Sequence, residues 1–235
     1  MAASTHSSRR AARPGIGDAV LVLLGAQVLS ILWVGVVLGL THPDGLPDPI
    51  PATLQLLLNI GLWLGYGLGS VLMARAGGRD PRPVLGIAIR PLDSLAAPLG
   101  VALQLGVLPV LYWLILQLVD GDPSADAKEL LEAVDTPAAA LLFTLAVVVV
   151  APLVEELYFR GLLLGAVRGR YGDVVGVVVS ALVFALVHRQ LLPLPGLFLF
   201  GVVAALLVIR TGRLGPAWLL HAGFNAATVA LLGFG

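Results

Sequence analysis

The chain has 235 residues, 58% of them hydrophobic and 12% charged, with 14 Lys plus Arg balanced by 14 Asp plus Glu. A soluble domain carries about twice that charge fraction, so an ordinary soluble globule is excluded, and zero net charge gives no bulk attraction to nucleic acid. The absence of cysteine removes disulfides, thiolate metal sites and cysteine nucleophiles.

Residues 1–18 read as a disordered basic tail. The apolar run from Ala19 to Leu40 is too long for a signal-peptide core and has no small-x-small cleavage pattern before Thr41, so it reads as a retained first span. Seven membrane spans are predicted, at about 19–40, 52–74, 95–119, 138–167, 174–192, 196–209 and 214–232. Lipid offers no partner to loose backbone groups, so each span must be helical; the predicted fold class is an all-α polytopic bundle. Prolines punctuate the connections: Pro43, Pro47, Pro49 and Pro51, then Pro81 and Pro83, then Pro193 and Pro195. Small residues recur four apart at Gly35/Gly39, Gly61/Gly65/Gly69 and Gly161/Gly165, a spacing that suits close helix packing.

The basic residues predict orientation. With the N-terminus inside, eleven fall on cytoplasmic segments: Arg9, Arg10, Arg13, Arg75, Arg79, Arg82, Arg90, Arg168, Arg170, Arg210 and Arg213. Only Lys128 and Arg189 fall outside, so the expected topology is N-in, C-out. The acidic stretch 120–136 reads as a solvated outer loop with a short surface helix around Lys128–Val134.

Ionisable groups within spans are expensive and are functional candidates by default. The first three spans contain no Asp, Glu, Lys, Arg or His. The fourth carries Glu155, Glu156 and Arg160, the fifth His188, and the seventh His221 with Asn225. Four-residue spacing puts Glu156 on one face with Arg160, Phe184 with His188, and His221 with Asn225. Glu155 lies about 100° round the helix from Glu156, so the two carboxylates are expected to have different partners. At 1.5 Å per residue, Glu155 lies about 20 Å from the cytoplasmic boundary, His188 about 21 Å, Asn225 about 16 Å and His221 about 10 Å, which predicts a common polar layer.

A carboxylate beside a neutral imidazole can activate water as a general base, and an amide can donate to a developing oxyanion. Glu156–Arg160 reads as an ionised supporting pair, leaving Glu155 as the base. No Ser/His/Asp order, H-E-x-x-H helix or Gly-rich phosphate loop is present.

Three segments, Glu155-Glu156-Leu-Tyr-Phe-Arg160, Phe184-Ala-Leu-Val-His188 and His221-Ala-Gly-Phe-Asn225, resemble the E-E-x-x-x-R, F-x-x-x-H and H-x-x-x-N motifs of the CAAX prenyl endopeptidase and bacteriocin-processing (CPBP, Abi) family of intramembrane proteases. The resemblance covers roughly residues 138–232; the expected organisation is a tail (1–18), an N-terminal transmembrane region (19–137) and a catalytic core (138–235). It implies an endopeptidase in which Glu155, aided by His188, activates water, His221 and Asn225 stabilise the oxyanion, and Glu156 with Arg160 supports them. It allows a metal-free reaction or one using a divalent metal such as zinc, for which Glu155, His188 and His221 are the candidate ligands. The implied substrate is a membrane-associated or lipidated protein or peptide, and the expected location is the plasma membrane of a bacterium. A proton-coupled transporter and a non-catalytic immunity or partner-binding relative are the competing readings. The four groups Glu155, His188, His221 and Asn225 are expected to share a cavity open to the cytoplasm or sideways to lipid.

Overall fold

The computed structural model describes residues 13–233, so most of the expected tail lies outside the described residues. Every regular element among the described residues is helical. Helices α1 (Ile16–Thr41) and α2 (Ala52–Arg75) are joined by the proline-rich connection, and α3 (Pro91–Ile115) begins four residues before its expected start. A short helix, α4 (Ala125–Glu132), follows where the acidic loop was expected. A 51-residue helical stretch, Pro137–Val187, comes next. It is bent at Gly172, whose φ of 85° suits glycine and is costly for other residues. We treat its arms as α5 (residues 137–171) and α6 (residues 173–187). The arms fold back on each other: Ser180 Oγ donates to the Phe159 carbonyl at 2.8 Å, and the Phe159 and Phe184 rings meet edge to face at 5.2 Å. Helices α7 (Leu194–Thr211) and α8 (Gly215–Gly233) complete the bundle.

Among the described residues five helical elements, counting Pro137–Val187 as one, are long and apolar enough to cross a membrane. Helix α8 is not among them; it is the helix that carries His221 and Asn225. Each of the seven stretches read as spans is helical, falling on α1, α2, α3, α5, α6, α7 and α8 with boundaries displaced by up to five residues. The fold is therefore an all-α membrane helix bundle.

The connections sort onto two ends of the bundle. At one end, Leu214 N donates to Gly86 O at 2.8 Å and Gly215 N to Ala88 O at 3.2 Å. Arg213 reaches across to the buried Asp93 carboxylate at 2.5 Å, and Arg13, Gly86, Arg168, Arg170 and Gly212 line one groove. At the other end Ala52 N donates to Ala133 O at 3.1 Å, and Gln190 Nε2 bonds Asp126 Oδ2 at 2.5 Å. Asp122 there accepts from Lys128 and Ser124, which hold its carboxyl down at about 2; an acid so depressed stays ionised above that value, so the pair persists through the neutral range. The arginine-bearing connections thus share one end, with Lys128 and Arg189 at the other.

Glycine spacing found some contacts and not others. Gly61, Gly65 and Gly69 sit against Trp33, Ala26 and Val22 of α1, whereas Gly35 and Gly39 face open space. The spacing shows that residues share a face, not that a helix lies against it. The tightest approach, α3 on α8, comes from Gly100 and Gly223, where a Cβ would strike the backbones of Leu220 and Ala97. Gly100→Ala is therefore expected to cost about 1–3 kcal/mol through overpacking. Gly106→Ala on the same helix, with nothing within 4 Å, is expected to be neutral or to gain up to about 1 kcal/mol of helix propensity. Thermal unfolding of the two variants in detergent checks this: the midpoints move in opposite directions, or Gly100→Ala alone falls.

Candidate functional site

The site grows from α5. Two stretches of that helix, Ala146–Val150 and Leu157–Leu163, take wider π-type turns on either side of the two glutamates. Pro152 has no N–H, and in the π register it would have been the donor to the Val147 carbonyl. Asn225 Nδ2 supplies that bond instead, at 2.8 Å from α8. Trp218 Nε1 likewise donates to Val149 O at 3.0 Å. The irregular backbone of α5 is thus satisfied by α8 side chains, which fixes the depth at which α8 sits.

Glu156 is fully buried. One oxygen, Oε1, lies 3.2 Å from Arg160 Nη1 and 3.0 Å from His221 Nδ1. Arg160 is also buried; its Nη2 reaches the Gly201 carbonyl at 3.4 Å and its guanidinium carbon lies 4.5 Å from the Phe184 ring centroid, within cation–π range. Glu156 Oε2 and Arg160 Nε have no hydrogen-bond partner among the described residues. The Glu156–Arg160 pair is as the spacing predicted. The expectation that the two carboxylates have different partners holds for Arg160 but not for His221, which lies between them, with Nδ1 bonded to Glu156 and Nε2 facing Glu155 Oε2 at 3.9 Å, beyond hydrogen-bond length. Two adjacent residues on one helix can reach opposite nitrogens of a single ring, because imidazole presents them about 2 Å apart.

Glu155 differs from its neighbour, since 21% of its side chain is accessible. It lines a cavity of about 390 Å³ together with His188, His221 and Asn225, so the four predicted groups do share one hollow. Its walls are mostly apolar, including Phe143, Val147, Leu197 and Phe200. A second cavity of about 330 Å³, lined by Gln27, Ser30 and Tyr66, lies beyond Glu155, His188, Asn59 and Trp63, which border both. His188 Nδ1 lies 2.7 Å from the Phe184 carbonyl. A carbonyl only accepts, so Nδ1 carries the proton and a neutral ring leaves Nε2 as a free acceptor. Phe184, read from the sequence as packing, packs against Phe159, Phe200, His188 and His221 and also fixes this tautomer.

One further expectation, a cavity open at the arginine-bearing end, is corrected. The cavity does not run to the arginine-bearing end. It is lined by Ala127, Leu130 and Leu131 of α4 and by Gln190, so it faces the end of the acidic segment, and α4 covers it rather than lying as a solvated loop. Among the described residues no three His, Asp or Glu side chains converge as a metal-ligand set. The candidate ligands Glu155, His188 and His221 line one cavity, with His221 Nδ1 and His188 Nδ1 committed to Glu156 and Phe184. Sequence reasoning also missed Gln55, Asn59 and Trp63 of α2 on the cavity walls. Gln55 and Asn59, polar and four apart inside a span, were the available signal.

The arrangement is a membrane helix bundle whose buried polar centre pairs one tied and one accessible carboxylate with two imidazoles and an amide. Residues 137–227 match the family model described as type II CAAX prenyl endopeptidase Rce1-like, and over that stretch the chain is similar to that family. A protein of Escherichia coli described as "Uncharacterized 24.3 kDa protein" is 38% identical over 97 residues, 39% of this chain and 44% of that protein. The similarity thus spans less than half of that relative. No solved structure matches.

Two measurements test this geometry. Removing the Glu156 carboxylate by Glu156→Ala strands a buried Arg160 and is expected to cost about 3–5 kcal/mol, whereas Glu155→Gln leaves the thermal midpoint in detergent within about a degree or two, since its partner is 3.9 Å away. Asn225→Ala orphans the Val147 carbonyl and is expected to cost about 1–3 kcal/mol. Adding Pro152→Ala returns an N–H to that carbonyl, so the double variant is expected to be more stable than Asn225→Ala alone; additive losses in the double-mutant cycle would contradict the assignment.

Proposed function

We propose that the protein is an intramembrane endopeptidase in which Glu155 is the general base, acting on a membrane-associated or lipidated protein or peptide. The observation that supports this most strongly is the division between the two glutamates. Glu156 is consumed by Arg160 and His221, while Glu155 lies 3.9 Å from His221 Nε2 and faces the cavity. A gap of that length is too long for a direct hydrogen bond and leaves the carboxylate free to take a proton from water.

In the proposed reaction a water molecule, hydrogen-bonded to Glu155 and to the free Nε2 of His188, attacks the carbonyl carbon of the scissile peptide bond. Glu155 takes the proton as the C–O bond forms. The developing oxyanion is met by the remaining Asn225 N–H and by His221 acting as an imidazolium, whose Nδ1–H is taken up by Glu156 and whose Nε2–H is left to donate. Collapse breaks the C–N bond, Glu155 passes the proton to the leaving amine, and a carboxylate and an amine are released. Glu156 and Arg160 act through His221, whose ring they hold. The membrane is proposed to be a bacterial plasma membrane, with the arginine-bearing end in the cytoplasm, and residues 137–233 of the bundle hold the catalytic groups.

The test is a comparison of protein termini in cells carrying the wild-type protein or Glu155→Gln at equal abundance. Peptide ends produced by the wild type are expected to disappear with the variant, a loss of at least about 100-fold for a general base. If no terminus differs, the endopeptidase reading fails in favour of a non-catalytic, partner-binding one.

A further inference from the structure

The two cavities that contain Glu155 have something in common beyond it. The larger is capped by α4 and Gln190, the smaller by Arg189. Both therefore reach the end of the bundle opposite the arginine-bearing connections, and neither contains a residue of those connections. Along α8 the larger cavity runs from Val229 down to His221, eight residues or about 12 Å of helix.

The arginine-bearing end offers no such route. Its groove, about 840 Å³, is larger, but it stops at Arg160 and Gly161 and shares no wall residue with either cavity that contains Glu155. Between them lies the Glu156–Arg160 pair, within a layer formed by Tyr158, Phe159, Leu162, Phe200 and Leu220, each at most 2% exposed. A peptide passing that way would have to break a buried ion pair and an aromatic stack. On the open side the barrier is one eight-residue helix held by the Gln190–Asp126 bond, by the Ala52 N–H on the carbonyl of its C-cap residue Ala133, and by Leu130 and Leu131 on the cavity wall.

We infer that the substrate reaches Glu155 from the end opposite the arginine-bearing turns, past α4, and that it is an apolar polypeptide segment presented on the non-cytoplasmic side of the membrane. The side follows from the charge asymmetry, because arginine-rich connections are retained in the cytoplasm. The apolar character follows from the cavity walls, where Phe143, Val147, Leu197 and Phe224 surround the space beside Glu155. This rests on the proposed peptidase function for the identity of the ligand, but the access route does not.

The chain has no cysteine, so single-cysteine variants report one position each. Thr228→Cys places a thiol on the cavity wall, and Gly169→Cys places one on the arginine-bearing groove, where a Cβ meets nothing within 4 Å. Each is treated with a membrane-impermeant maleimide in intact cells and in sealed inside-out vesicles. Thr228→Cys is expected to react at least tenfold faster in intact cells, Gly169→Cys at least tenfold faster in the vesicles, and Gln190→Ala is expected to speed labelling of Thr228→Cys by loosening α4. The inference is overturned if Thr228→Cys reacts only in the vesicles, reacts equally from both sides, or stays unlabelled from both sides with Gln190→Ala present. It is also overturned if Gly169→Cys reacts from outside. In the termini comparison, wild-type-dependent ends are expected in apolar segments on the non-cytoplasmic side; ends confined to cytoplasmic segments contradict the route while leaving the peptidase standing. An unchanged set of termini removes the peptidase and leaves the labelling pattern to stand alone.

Discussion

A buried charge in a membrane bundle must be answered where it lies, and the Glu156–Arg160 pair sets that condition for everything around it. Neither group can reach water, so both must be neutralised by neighbours at fixed positions. Arg160 draws on the Gly201 carbonyl of α7 and the face of Phe184 on α6, while Glu156 draws on His221 of α8. One ion pair on α5 thereby dictates the relative depth of three other helices.

The chemistry follows from what is left over. Because one nitrogen of His221 is held by Glu156, its other nitrogen is aimed at the region of Glu155 without rotational freedom. Because Pro152 cannot complete the π turn, Asn225 is tethered beside the same cavity by Val147. Catalytic groups held by their neighbours need no rearrangement when charge develops. The side chains that look structural on their own are thus the ones that orient the groups to which the proposed reaction assigns the chemistry.

Much of this was legible from the residue types. Glu155, Glu156, Arg160, His188, His221 and Asn225 stood out because ionisable and amide groups in apolar helices are costly, and rise per residue placed them in one layer. The i, i+4 spacing gave the Glu156–Arg160 pair. Spacing within helices does not describe contacts between them, however, so the double use of His221 was not legible. Nor was the Asn225 bond to Val147, which depends on a π turn that periodicity of 3.6 hides. Helix α4 was read chiefly as a solvated loop, with a short surface helix placed a few residues too late at Lys128–Val134; its polar sequence, with Leu130 and Leu131 on one side, did not show that this side covers a cavity. The α2 groups Gln55 and Asn59 were overlooked because attention went to charge. The turn at Gly172 was predicted as a break between spans, and only its positive φ explains how two helices join with almost no loop.

The central claim is that His221 is anchored by Glu156 and thereby presented to Glu155. Solid-state NMR of the protein in lipid bilayers, with 15N-labelled histidine and 13C-labelled glutamate, measures this directly. The account predicts a dipolar contact between His221 Nδ1 and the Glu156 carboxyl carbon at about 4 Å, and loss of that contact with a shift of the Nδ1 resonance in Glu156→Gln. A His221 ring with no short contact to Glu156, or an Nδ1 resonance unmoved by that substitution, would contradict it.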